Sequence, residues 1–301
     1  MAPGSSTRQA GGAPERGGLV ERSDWATLVA NVGPRGDLPK VIATDLDGTL
    51  MRDDESISSR TCAVLQRSTH AGLRVVLVTA RPPRWVDHLE GLAGSDGIIL
   101  CANGAFVYHV RDRQIVQEHT IPRSLALDLI EDLRAALPRI VFGFERADGL
   151  AIEQGYTSDY PLPPGTPTGP AEEVLDVPPG KMLARCPGLG NEEFQRVVTD
   201  VIGARGIVAY SGAVGLAEIS APGVTKAAAL TRWSAGHGFG ANNVWAFGDM
   251  PNDLPMLTWA QVGFAVANAH PQVLAQADAV CPSNEEDGVA QTLEQLLRWV
   301  E

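Results

Sequence analysis

Apolar positions along the chain first come in short, largely β-branched runs. Val41-Ile-Ala-Thr44, Leu73-Arg-Val-Val-Leu-Val78 and Gly97-Ile-Ile-Leu-Cys101 have the continuous character of parallel strands buried on both faces. Between the first two, residues 57–72 carry helical spacing, with Ser58 or Ser59 placed to cap the helix and Gly72 to stop it. A second helix is expected after Pro82-Pro83, because a proline suits the first helical turn. This β-α-β-α-β order predicts an α/β fold built on a doubly wound parallel sheet.

The rhythm changes from Ala105 to about Ile219. Short strands alternate with two long helical stretches, near residues 124–137 and 191–203, and a Pro/Gly-rich loop occupies residues 161–170. Residues 206–219 read as a β-hairpin turning at Ser211-Gly212. This block is expected to be an antiparallel α+β insertion. The βα pattern resumes with a helix at 224–236 and a strand at 243–247, then a helix at 253–260 and strands at 262–266 and 277–281. A last helix spans 288–300. The expected division is a flexible N-terminal tail at 1–36, core at 37–108, inserted cap domain at 109–218, and core again at 219–301.

Composition narrows the function classes. The 301 residues hold 36 Asp and Glu against 24 Lys and Arg, a formal charge of -12. Such a surface repels nucleic-acid phosphates and anionic lipid, so neither is an expected partner. It also repels phosphorylated metabolites, so a phosphate site would need local cations or a metal. The four cysteines are scattered without a CxxC pair, which argues against zinc and for reduced thiols. No apolar run approaches membrane-spanning length, and the N-terminal stretch lacks a secretory h-region. The cytoplasm is the expected location, and the sequence leaves the oligomeric state, monomer or dimer, open.

Four polar clusters lie at predicted strand ends or at the start of the helix that follows, where an open α/β sheet borders its ligand crevice. The first is Asp45-Leu46-Asp47-Gly48-Thr49. Its carboxylates at i and i+2 share one side of an extended chain and would repel without a cation. A lone Asp-Gly is also ordinary turn chemistry. The second is Thr79-Ala80-Arg81, a hydroxyl and backbone N–H groups able to hold phosphate oxygens or merely to cap a helix. The third is Lys226, a cation in a first helical turn, against the helix dipole. The fourth is Gly248-Asp249-Met250-Pro251-Asn252-Asp253, where Asp253 could cap the next helix but Asp249 has no such role. Oxygen ligands without His or Cys suit Mg²⁺.

Taken in order, these clusters resemble the four motifs of the haloacid dehalogenase superfamily of phosphatases. The insertion resembles that group's large α/β cap. Asn103-Gly104-Ala105, Ala267-Asn268-Ala269, Ala277-Asp278-Ala279 and Ser283-Asn284-Glu285-Glu286-Asp287-Gly288-Val289 resemble its Cof-type branch. The resemblance covers roughly residues 40–301 and implies a Rossmann-like core.

It implies that Asp45 attacks phosphorus and that Asp47 serves as acid and then base. Mg²⁺ would be held by Asp45, the Asp47 carbonyl and Asp249. Thr79, Lys226, Asn252 and backbone N–H groups near Leu46 and Ala80 would hold phosphate oxygens. Thr49 and Asp253 would support, Asp253 by orienting Lys226 or a metal-bound water. The implied partner is a small phosphate ester. Arg81, Arg84 and Asn103 lie near the crevice but read as structural or surface residues, and Trp85 as core or lid packing. A phosphomutase or phosphotransferase using the same intermediate and a non-catalytic phosphometabolite binder remain as alternatives. A dinucleotide binder is disfavoured, because no G-x-G-x-x-G follows a first strand.

Overall fold

The computed structural model describes residues 24–32, 38–209 and 213–301. The chain begins with helix α1 (Trp25–Val32) and strand β1 (Val41–Thr44), followed by α2 (Ser59–His70), β2 (Arg74–Val78) and β3 (Ile98–Cys101). A hairpin of β4 (Phe106–His109) and β5 (Gln114–Glu118) leads into α3 (Arg123–Ala136). Next come β6 (Val141–Arg146), β7 (Gly149–Glu153), β8 (Thr168–Gly169), α4 (Ala171–Val174) and β9 (Pro179–Arg185). After α5 (Asn191–Ile202), β10 (Ile207–Ala209) and β11 (Ala217–Ser220), the chain closes with α6 (Lys226–Gly236), β12 (Val244–Gly248), α7 (Leu254–Trp259), β13 (Val262–Val266), α8 (Pro271–Gln276), β14 (Ala279–Cys281) and α9 (Gly288–Val300).

Two sheets result. The first has the order β14-β13-β12-β1-β2-β3-β4-β5. Its strands are parallel from β14 to β3, and β4 and β5 add an antiparallel edge. The apolar runs form its centre: β1, β12 and β13 are buried along their whole length. The sheet departs from β1 in both directions, to β2 on one side and β12 on the other, so the ends of these three strands frame the crevice. The second sheet, β10-β11-β9-β6-β7-β8, is antiparallel except where β8 joins β7. Helices α3 and α5 pack together, and their buried residues Leu129, Ile130, Phe194 and Val198 belong to the main core.

Helix α2 starts as its sequence requires, with the Ser58 side chain accepting from Thr61 N–H. Several expectations are corrected. The stretch after Pro82 forms two 3-10 segments, Pro83–Trp85 and Asp87–Leu92, rather than an α-helix. Val86, at φ -118° and ψ 2°, breaks the path between them. The expected tail at 1–36 contains α1, whose Val29 is fully buried and which packs on α9 and β14. The rest of that tail, apart from residue 24, lies outside the described residues, as does the expected turn at Ser211-Gly212. The first core segment runs past 108, since β5 extends the parallel sheet to Glu118. All four cysteines are free, Cys101 and Cys281 buried and Cys62 and Cys186 half-buried. Among the described residues no helix is long and apolar enough to cross a membrane.

Candidate active site

Strand β1 delivers Asp45 to the crevice and the following turn holds it there. Asp45 N–H extends the β1–β12 ladder by donating to Phe247 O at 3.0 Å. The chain then folds back sharply, with the N–H groups of Thr49, Leu50 and Met51 all converging on Leu46 O. Gly48 makes this turn at φ +72°, and a Cβ there would lie 2.5 Å from Asp249 Oδ2. The turn is therefore closed directly against the end of β12. Thr49 Oγ1 donates to Asp249 Oδ1 at 2.9 Å and ties the two segments together.

Lys226 enters from the first turn of α6, which Thr225 caps through Ala228 N–H. Its Nζ donates to Asp45 Oδ1 at 2.6 Å and Asp253 Oδ1 at 2.7 Å. Asp253 Oδ2 accepts from the N–H groups of Asp249 and Met250, at 3.1 and 3.0 Å. Asp253 thus fixes both the lysine and the loop carrying Asp249.

Burial pushes the Asp45 carboxyl well above the ordinary carboxylate range. Lys226 opposes that shift, while Asp253 and Asp249 add to it. Burial and Asp253 push Asp249 up to about 6. Burial works against the Lys226 ammonium, but Asp253 and Asp45 outweigh it and hold it above the ordinary lysine value.

Carboxylate oxygens of Asp45, Asp249 and Asp253 lie within 4.8 Å of one another. Both Asp253 oxygens are already engaged, by Lys226 and by backbone N–H groups. The pair suited to a cation is therefore Asp45 and Asp249. Two buried acids facing each other, both held above their usual titration range, form an all-oxygen donor set that a hard divalent cation would relieve.

The second sheet covers this floor and leaves a cavity of about 310 Å³. Asp45, Asp47, Ala80, Lys226 and Asn252 line it, and Leu46, Thr49, Thr79, Asp249 and Asp253 are buried in the segments next to them. Thr79 is fully buried, and its Oγ1 accepts from Arg81 N–H at 3.0 Å. Asn252 Nδ2 donates to Asn103 Oδ1 at 3.3 Å.

Three residues expected near the crevice, as structural or surface groups, do lie beside the site. Arg81, whose side chain is 11% exposed, grips both Asp47 oxygens through Nε at 2.9 and 3.0 Å, and Oδ1 also through Nη2 at 2.5 Å. Arg84 reaches across to the second sheet and pairs with Glu145 at 2.6 Å. Asn103, in a left-handed conformation, bridges Asn252 and Glu218. Trp85 lines the cavity beside Tyr160, their ring centroids 4.6 Å apart.

Sequence reasoning missed Lys181, Leu183, Arg185 and Glu218 altogether. They alternate along β9 and β11 and share the sheet face that looks into the cavity. The alternation itself was the available signal, but nothing in it tells a face turned to a cavity from one turned to water.

The haloacid dehalogenase-like hydrolase family matches residues 42–293 of this chain, a span that takes in all four polar clusters. The chain belongs to that family. Its relatives place it among the phosphatases. It is 30% identical over 269 residues to the 5-amino-6-(5-phospho-D-ribitylamino)uracil phosphatase YitU of Bacillus subtilis, covering 85% of this chain and 97% of that protein. It is 28% identical over 267 residues to the pyridoxal phosphate phosphatase YbhA of Escherichia coli, covering 84% and 96%. A haloacid dehalogenase-like hydrolase from Bacteroides thetaiotaomicron shares its structure with a TM-score of 0.69 at 26% identity, over 86% of this chain and 99% of that one. The second sheet with its helices occupies the place of the cap of this phosphatase family.

Proposed function

We propose that this phosphatase hydrolyses a small phosphorylated metabolite through a phosphorylated Asp45, with Mg²⁺ as its cofactor. The observation that carries the reading is the setting of Asp45. It is a buried carboxylate on the cavity floor, held by Lys226 at 2.6 Å and facing the Asp249 carboxylate across the Gly48 turn. A cavity of about 310 Å³ lies at the small end of the range for metabolite sites. The two phosphatase relatives are named for small phosphorylated molecules.

In this reading an Asp45 oxygen forms a bond to phosphorus as the bond to the leaving oxygen breaks. Asp47, once released from the Arg81 pair that holds both its oxygens, gives a proton to that oxygen and later removes one from the water that cleaves the acyl phosphate. Lys226 orients Asp45 and offsets charge on the transferring group. Thr79, Asn252 and the backbone N–H groups near Leu46 and Ala80 hold phosphate oxygens. Asp45, Asp249 and the Asp47 carbonyl would hold Mg²⁺, which supplies positive charge between two anions that otherwise repel. Asp253 and Thr49 keep Lys226 and Asp249 in place. We place the cap's role in substrate selection and water exclusion.

The test is phosphate release from a panel of metabolite monoesters with Mg²⁺, run beside Asp45→Asn. The variant should be slower by about a thousandfold or more, and chelation should abolish parent activity. Equal rates for parent and Asp45→Asn on the best ester would remove Asp45 as nucleophile.

A further inference from the structure

A chain of polar contacts leads from the cap into the turn that carries Thr79. Lys181 projects from β9, its side chain 3% exposed, and pairs with Glu218 of β11, whose side chain is 6% exposed, at 2.5 Å. Its Nζ also donates to the carbonyl oxygen of Ala80 at 2.7 Å. That carbonyl and the Arg81 N–H belong to one peptide unit, and the N–H donates to Thr79 Oγ1 at 3.0 Å.

We propose that Lys181 is a positioning residue for phosphate binding, making the strength of Thr79 as a donor depend on the closed cap. The proposal rests on the reading that Thr79 holds a phosphate oxygen. A cation on a carbonyl polarises its peptide, and the peptide's N–H becomes a better donor. That N–H occupies a lone pair of Thr79 Oγ1 and draws density from the hydroxyl, whose proton is then directed to another acceptor. Among the described residues Thr79 Oγ1 has no acceptor for its proton, although the residue is fully buried.

The rest of the turn is fixed from below. Ala102 N–H donates to Arg81 O at 2.8 Å and Asn103 N–H to Thr79 O at 3.0 Å. The contact from above comes from the cap through Lys181. Glu218 completes the link, because its second oxygen accepts from Asn103 Nδ2 at 3.3 Å. A buried ammonium and carboxylate are costly apart and favourable together. The pair therefore suits a joint that is dry when the cap is closed and hydrated when it opens.

The experiment measures binding of inorganic phosphate to the Mg²⁺-loaded protein by calorimetry, together with kcat and KM for one compact and one bulky monoester. Lys181→Met should weaken phosphate about tenfold, reduce kcat/KM by a similar factor for both esters, and leave Mg²⁺ affinity unchanged. Lys181→Arg should restore most of the loss. In a Thr79→Val background, adding Lys181→Met should cost less than about twofold, because the relay has lost its last member. Lys181→Met/Glu218→Gln removes both buried charges and should show the same phosphate defect if the single variant does not fold.

Parent-like phosphate binding in the folded variants would overturn the proposal. So would a loss confined to one ester, which would make Lys181 a contact to the leaving group, or a full tenfold loss persisting without Thr79. If the parent neither binds phosphate nor hydrolyses any ester, the phosphatase reading falls first and this proposal with it.

Discussion

Asp249 shows how much of the chemistry resides in single side chains. Burial and the nearby Asp253 push its carboxyl up to about 6, yet a metal ion requires it ionised. Protons and Mg²⁺ therefore compete for it in an ordinary pH range. As pH falls through about 6 the metal-free carboxyl takes up a proton, and Mg²⁺ must displace it. Apparent Mg²⁺ affinity should weaken by up to about tenfold per pH unit below that point. Mg²⁺ titrations at pH 7.5 and 5.5 check this, and equal affinity at both would show that no metal-binding carboxyl of the site titrates between those values. Asp45, Asp47, Asp249, Asp253 and Lys226 were legible because each sits in a short polar segment directly after an apolar run or at a helix start. Lys181 and Glu218 were not. They share their strand faces with Leu183 and Leu216, so the strands show no clean polar alternation, and only the assembled fold turns that face onto the cavity. Arg81 was visible near the crevice, but its partner was not: nothing in the sequence signals that it holds Asp47.

At the scale of elements, the central strands and α2 and α9 were readable because their signals are local: unbroken β-branched runs, a serine cap, a sustained helical period. Misses came where the deciding contact is distant. Helix α1 carries Trp25, Leu28 and Val29 at helical spacing, but its sequence neighbours are Gly- and Pro-rich. What makes it a helix is docking on α9 and β14. The β4–β5 hairpin joined the parallel sheet rather than the cap because Ile98–Cys101 pairs with Phe106–His109. Besides the polar links of Arg84 and Lys181, the junction between sheets includes one close approach. Gly180 of β9 lies against the fully buried Phe106 of β4, and a Cβ there would come within 2.3 Å of the ring. Gly180→Ala should therefore cost about 1–3 kcal/mol by overpacking. Because Gly180 precedes Lys181, a misplaced β9 should also weaken phosphate binding. Urea unfolding beside phosphate calorimetry checks both, and unchanged values for the two would show that this approach is slack.

The whole molecule presents the substrate with two opposing fields. Its formal charge is -12, which repels a dianionic ester at long range. The cavity lining is balanced, with Asp45, Asp47, Glu145, Asp159 and Glu218 against Arg81, Arg84, Lys181, Arg185 and Lys226. A bound Mg²⁺ would tip this lining positive. Which field the substrate feels depends on how far each reaches. At about 10 mM ionic strength the screening length is near 30 Å and the whole acidic surface contributes. At about 150 mM it is near 8 Å and only the cavity mouth does. Added salt should first remove the repulsion and only later the attraction. With Mg²⁺ saturating, kcat/KM should therefore rise, by about twofold, as NaCl brings the ionic strength from about 20 to about 150 mM, then fall beyond it. The effect should lie in KM rather than kcat, because groups bound inside the partly enclosed cavity are screened less than those at its mouth. A monotonic fall from the lowest salt would mean that the local cations dominate at every distance. The acidic surface would then have no part in selecting which phosphate esters reach Asp45.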